Sequence, residues 1–224
     1  IVLLQSNGRD RLLRPTLYDF LAHRALDVFE NSEAGLAEPL EPFRFNDPRF
    51  MGTAEGFVGL EIESPDSLST EYLAIRLYQD LVRFHLTDTE PDALVDVDLG
   101  RLAFVRKAST VADRDSAYVA RLREMDERFS GRSAGTSVTH GLASTLVSEG
   151  YRYDPLRSDR FKWRLKEAYD LCSDAIGRFP DSFGADQCAA LQSSIREKSA
   201  QFQIEDVVTP GQPFKLRLQY RNVE

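Results

Sequence analysis

From Pro15 to about Ala200 the apolar residues recur at helical spacing, and only beyond Ala200 does the period change to two. That switch restricts the chain to a mainly helical body with a short β element at its end. Pro15 suits the first turn of a helix, and Leu17, Phe20, Leu21, Ala25, Val28 and Phe29 follow as one apolar stripe. Asp19, His23, Asp27 and Glu30 fall on the opposite face, which reads as solvated. Between Ser69 and Leu86 there are two stripes, Tyr72, Ile75, Val82 and Leu86 beside Leu73, Leu77, Leu81 and Phe84. A helix with two apolar faces has to be covered on two sides.

Punctuation marks the later helices. Thr89-Glu90-Pro91-Asp92 opens one, with acids where the helix dipole favours them. Asp113 to Phe129 is the next, with Gly131 as its expected C-terminal cap. Thr136 to Glu149 is followed by Gly150 and a polar loop over Tyr151–Asp159. Arg160 to Arg178 and Ser182 to Ala200 form a final pair around Phe179-Pro180-Asp181. These four helices read as two copies of one unit. Ala117-Tyr118 with Arg128-Phe129-Ser130 is matched by Ala168-Tyr169 with Arg178-Phe179-Pro180. The spacing is that of a tetratricopeptide unit of about 34 residues enlarged by a loop. Stacking such pairs buries faces that no pair can bury alone.

Two segments depart from this pattern. Residues 36–64 hold Pro39, Pro42 and Pro48, Gly52, Gly56 and Gly59, and Phe43, Phe45, Phe50 and Phe57. Prolines at that density stop a helix, and the segment reads as an ordered strap whose aromatics plug gaps on the helices. A partner-binding loop is the alternative. At the other end, Gln201–Val208 and Phe214–Arg221 read as strands around the turn Thr209-Pro210-Gly211-Gln212-Pro213. The domain expectation is therefore a helical scaffold over 1–200 and the start of a β domain over 201–224.

Candidate chemistry is sparse. Asp19, His23 and Asp27 share a helix face and could orient a general base, but no Ser or Cys nucleophile is tied to them. Asp88, Glu90, Asp92, Asp96 and Asp98 invite a calcium loop. From Asp88 the required Gly and Glu positions are Ala93 and Leu99, and from Asp96 the twelfth residue is Lys107, so both registers fail. His85 and His140 have no second ligand at helical spacing, and Gly131, Gly135 and Gly141 make no phosphate loop. Cys172 and Cys188 lack zinc or redox spacing and read as core thiols, a bridge requiring suitable geometry. No catalytic, cofactor-binding or metal-binding residue is assigned, and an enzyme is not expected.

The balance of 28 Lys+Arg against 36 Asp+Glu gives a net charge of −8. That argues against nucleic acid and anionic membranes, and the lack of a basic, aromatic-studded face argues further against single-stranded nucleic acid. No apolar run reaches the roughly 20 residues of a membrane span. The start Ile1-Val2-Leu3-Leu4-Gln5 has no Met, basic region or cleavage site, so it is not read as a signal peptide. The chain reads as processed or as a piece of something longer.

Several runs are similar, in order, to the N-terminal region of alpha-2-macroglobulin-like proteins of Bacteroidetes-type bacteria. They are Pro15-Thr16-Leu17-Tyr18-Asp19-Phe20-Leu21-Ala22-His23-Arg24-Ala25-Leu26-Asp27, Phe43-Arg44-Phe45-Asn46-Asp47-Pro48, Ala74–Leu81 and Asp96–Leu102. Phe214–Val223 resembles the opening strand of the first macroglobulin-type β-sandwich. The resemblance implies a non-catalytic helical scaffold or interaction domain of an extracytoplasmic (periplasmic or envelope) endopeptidase inhibitor. Its partners would be proteins, neighbouring domains or, through the whole protein, proteases. The family's bait segment and its Gly-Cys-Gly-Glu-Gln thioester have no counterpart here, so no functional residue is carried over. The alternative is a stand-alone helical repeat domain that binds a peptide or protein.

Overall fold

Four helices open on the same device. Thr16, Thr53, Ser69 and Ser182 each accept the backbone N–H three residues on, from Asp19, Gly56, Tyr72 and Ala185 respectively. Each bond satisfies an amide that the helix itself leaves free. The computed structural model describes residues 8–31, 43–204, 211 and 216–222. Among them the order is α1 (Gly8–Leu13), α2 (Leu17–Phe29), a 3-10 turn (Pro48–Met51), α3 (Ala54–Val58), α4 (Thr70–His85), α5 (Asp92–Ala108) and α6 (Arg114–Phe129). There follow α7 (Gly135–Gly150), α8 (Arg164–Arg178), α9 (Phe183–Arg196), β1 (Ser199–Ile204) and β2 (Leu216–Arg221). The expected mainly helical class with a short C-terminal two-stranded element is what the chain adopts. Residues 36–42, 205–210 and 212–215 of the expected strap, strand and turn lie outside the described residues.

Several boundaries differ for local reasons. Pro15 precedes α2 instead of occupying its first turn, because Thr16 is the cap. Phe161 has a backbone φ of 71°, which no helix accommodates, so α8 begins at Arg164 and not at Arg160. Ala200 belongs to β1, the final helix having ended at Arg196. Gly131 is not a left-handed cap; Ser130 closes α6 in ordinary helical geometry.

One apolar core runs through the helices. α4 packs on α2, α3 and α5; α7 packs on α6, α8 and α9; α5 joins the two groups through α6 and α7. Close approach of α9 to α7 depends on Gly184, where an added Cβ would stand 2.3 Å from the Thr136 carbonyl carbon. Burial recurs at one spacing on α6 and α8. Tyr118, Leu122 and Met125 on α6 are buried, and so are Ala168, Cys172 and Ala175, each 50 residues further on. The matched Ala117 and Ala168 do not share this spacing: Ala117 is exposed and Ala168 buried.

The described strap plugs the helices. Phe43, Phe45, Phe50 and Phe57 are all buried, with Phe45 edge-on to Phe104 at 5.3 Å. Gln79 of α4 donates from its amide to the carbonyls of Phe57 and Leu60, at 3.0 and 2.8 Å. Arg101 of α5 is fully buried and donates to Asp98 at 2.7 Å, to the Gly52 carbonyl at 2.9 Å and to the Phe50 carbonyl. Its guanidinium also lies 4.4 Å from the Phe57 ring centroid. A strap with few ladder bonds of its own thus has its carbonyls satisfied by side chains.

α2 turns the other way from the sequence reading. Asp19 is fully buried, with Ala22 and Leu26, while Leu17, Leu21 and Val28 are exposed. Phe84, expected in a core stripe, is 47% exposed.

Candidate interaction surfaces

Several of the polar groups that sequence suggested for chemistry, Asp19, His85 and Asp98 among them, are occupied in holding the fold. Asp19 Oδ2 accepts from the Thr16 amide and hydroxyl, both at 2.8 Å, and Oδ1 lies 2.8 Å from His85 Nε2. His85 Nδ1 lies 2.7 Å from Asp88 Oδ2, so two carboxylates clamp a fully buried ring. His85, read as solitary, is therefore the centre of a triad that joins α2 to the end of α4. His23 stands apart from it. Its buried Nε2 has no hydrogen-bond partner among the described residues, and burial, then Arg14, pushes its pKa down to about 4. Asp27 is exposed beside Arg24. The Asp19, His23 and Asp27 set is not assembled.

The acidic run disperses likewise. Asp88 serves His85, Asp92 sits in the first turn of α5, and Asp98 is buried against Arg101. No group of three or more His, Cys, Asp or Glu among the described residues could hold a metal ion. His140 is half-buried, its pKa lowered by burial, with Nε2 3.2 Å from the Ser144 hydroxyl. Cys172 on α8 and Cys188 on α9 are buried free thiols, and each shifts the ionisation of the other, Cys172 downward and Cys188 upward. Among the described residues no helix is long and apolar enough to cross a membrane.

Two surfaces stand out among the described residues. The first is the hairpin. β1 and β2 pair antiparallel with Ala200 opposite Tyr220, Phe202 opposite Leu218 and Ile204 opposite Leu216. Directly opposed residues share a sheet face and alternate residues share it too, so all six apolar groups lie on one side. Gln201, Gln203 and Arg217 fall on the other. The apolar side is uncovered: Phe202 is 67% exposed and Tyr220 66%. At its base the Asn222 amide donates to the carbonyls of Ile195 and Glu197, at 2.7 and 3.1 Å.

The second surface is a pocket of about 440 Å³ between α6, the end of α7 and the start of α8. Its floor is a neutralised ladder. Arg164 pairs with Glu149 at 2.9 Å and with Glu167 at 2.7 Å, and Arg123 pairs with Glu167 at 2.5 Å. Burial would raise the Glu167 pKa, but hydrogen bonds from Arg123 and Arg164 hold it below the usual carboxylate value. Its rim is residues 159–163. Phe161 carries the φ of 71°, a conformation that costs about 1–3 kcal/mol in a non-glycine residue. Arg160 and Arg152 lie over the Phe161 ring, 4.6 and 5.5 Å from its centroid, and neither makes an ion pair among the described residues. Trp163, the only tryptophan of the chain, is 68% exposed beside them.

No protein-family model matches the chain, nor does any curated protein or solved structure. The two surfaces therefore carry the functional argument. Sequence reasoning missed the second, because 160–163 read as helix. Its signal was there in Arg152, Arg160 and Lys162 interleaved with Phe161 and Trp163. The expectation of no basic, aromatic-studded face fails at this segment.

Proposed function

We propose that this chain is a non-catalytic helical scaffold and interaction domain whose C-terminal hairpin is completed by β structure from a neighbour. The observation that carries the reading is the hairpin's one-sided apolar face, left bare. A two-stranded hairpin is marginal in water by itself, and a contiguous bare apolar patch marks an interface. A facing sheet, packed at about 10 Å as in a sandwich, would remove Phe202, Ile204, Leu216, Leu218 and Tyr220 from water together. In the alpha-2-macroglobulin-like resemblance that neighbour is the first macroglobulin-type sandwich. The whole protein would then be an extracytoplasmic endopeptidase inhibitor, and this part would space or dock its β array. The spent polar groups around His85 and Arg101 favour a scaffold over a catalytic role.

Amide hydrogen exchange tests this. It is measured at Phe202 and Leu218 in this chain and in the longest native polypeptide that contains it. Slow exchange only in the longer polypeptide is expected. Equally fast exchange in both, or a native reading frame that stops at Glu224, would overturn the reading.

A further inference from the structure

The pocket beside Phe161 has a chemistry that the scaffold reading neither uses nor requires. Within a chain of net charge −8, Arg160 lines the pocket and Arg152 lies beside it over the same Phe161 ring, neither in an ion pair among the described residues. The nearby acids are already engaged: Glu149 and Glu167 by Arg164 and Arg123, and Asp159 by Lys162 at 3.3 Å. What the site lacks is negative charge.

It also has an apolar side. Trp163 divides this pocket from a second of about 460 Å³, lined by Trp163 and Leu171 together with Lys166, Glu167, Asp170 and Asp174. Of these, Asp170 is paired with Lys166 at 2.5 Å and Asp174 with Arg178 at 3.0 Å. Cation and aliphatic subsites on either side of one indole fit an extended chain carrying a carboxylate next to an aliphatic side chain. We infer that this surface binds an acidic peptide segment, an Asp or Glu carboxylate meeting Arg160 and Arg152 and the following apolar residue packing beside Trp163. A planar guanidinium takes a carboxylate in a forked pair, which gives direction as well as attraction. The overall acidity of the chain repels polyanions at long range, so a short peptide is a better occupant than nucleic acid.

Trp163 reports on the site directly, because no other tryptophan contributes to the emission. The probe is acetyl-Gly-Glu-Glu-Leu-Gly-amide, titrated to about 2 mM, a range that captures weak peptide binding. Its twin with Lys at both acidic positions is the control. A saturable change in Trp163 emission is expected with the Glu peptide alone. Arg152→Gln with Arg160→Gln should weaken it at least about tenfold, the scale of a lost charge-assisted bond, with an unchanged circular dichroism spectrum. Arg160→Lys, which keeps the charge and loses the fork, should weaken it several-fold and serves if the double variant does not fold. The inference is overturned by no saturable response, by equal response to both peptides, or by full binding in Arg160→Lys and the double variant. Inorganic phosphate or a short oligothymidylate producing the same response at the same concentration would also overturn it, pointing instead to an oxyanion or single-strand site.

Discussion

Asp19 and His85, 66 residues apart in sequence, meet inside the protein at 2.8 Å. The carboxylate does two jobs at once, closing the capping box of α2 through Thr16 and holding the ring at the end of α4. Removing it strands a buried ring and uncaps a helix. Asp19→Ala should cost about 2–4 kcal/mol, the scale for leaving a buried ring nitrogen unsatisfied and losing a helix cap together. Asp88, on the other side of the ring, is partly exposed, and Asp88→Ala should cost no more than about 1 kcal/mol. Urea unfolding of the two variants checks this; equal losses would show that burial is not what sets the cost.

His23 gives the fold a pH dependence of known sign. Its pKa is about 4 in the folded chain against 6.5 for the free group. Between those values the unfolded state binds a proton that the folded state does not, so stability is full above pH 6.5 and falls as pH drops toward 4. Since the ring is only half-buried, solvent screening reduces the effect to about 1–2 kcal/mol. His23→Leu should remove that share of the loss while changing stability little at pH 7.5. Denaturant midpoints at pH 7.5 and 4.5 in both proteins provide the measurement, and parallel losses would contradict the assignment.

Leu81 and Phe84 separate a core position from an apparent one. Leu81 is fully buried on α4, and Leu81→Ala should cost about 2–5 kcal/mol. Phe84, edge-on to exposed Tyr18 at 5.1 Å, should cost about 1 kcal/mol on truncation to Ala. Thermal melts of the two variants decide it, and similar Tm losses would count against the burial difference.

These pairs show what patterning can and cannot convey. Periodicity identifies which residues of α2 share a face. It cannot tell which face turns inward when a buried carboxylate finds its partner on a helix 66 residues away. The result is Leu17, Leu21 and Val28 outside and Asp19 inside. Caps are local, so Ser69 and Ser182 were readable as helix starts. The strap was legible as a plug from its four phenylalanines, but not its fastening, since Arg101 and Gln79 act across long sequence separations. The Phe161 pocket escaped because a left-handed residue inside an otherwise helical pattern leaves no periodic trace.

Arg101 fastens the strap, and its loss should release it. Arg101→Met leaves buried Asp98 with only the longer pair to Arg121 at 3.9 Å and the Phe50 and Gly52 carbonyls without their donor, a loss of about 3 kcal/mol or more. Arg101→Lys should rescue little, because a single ammonium cannot reach three acceptors from one planar fork. Limited trypsin digestion reads the outcome, with Arg44 and Arg49 expected to be cut earliest in both variants. Unchanged resistance at those sites would show that the phenylalanines alone hold the strap.

The hairpin should be dispensable to the helices. Its apolar groups are about half or more exposed, so they add little to the core that α2 to α9 enclose. Among the described residues Asn222 ties its base only to the end of α9, through the Ile195 and Glu197 carbonyls. Deleting residues 199–224 should leave the melting temperature within a few degrees and the helical circular dichroism intact. The same deletion should abolish concentration-dependent association, because the bare face of Phe202, Leu218 and Tyr220 is what two copies would press together. Replacing Phe202 and Leu218 by Ser should reproduce that loss of association without shortening the chain. Sedimentation velocity at several concentrations and a thermal melt together read the result. If the truncated chain unfolds, the hairpin is integral to the helical core and its assignment to a neighbouring β structure fails.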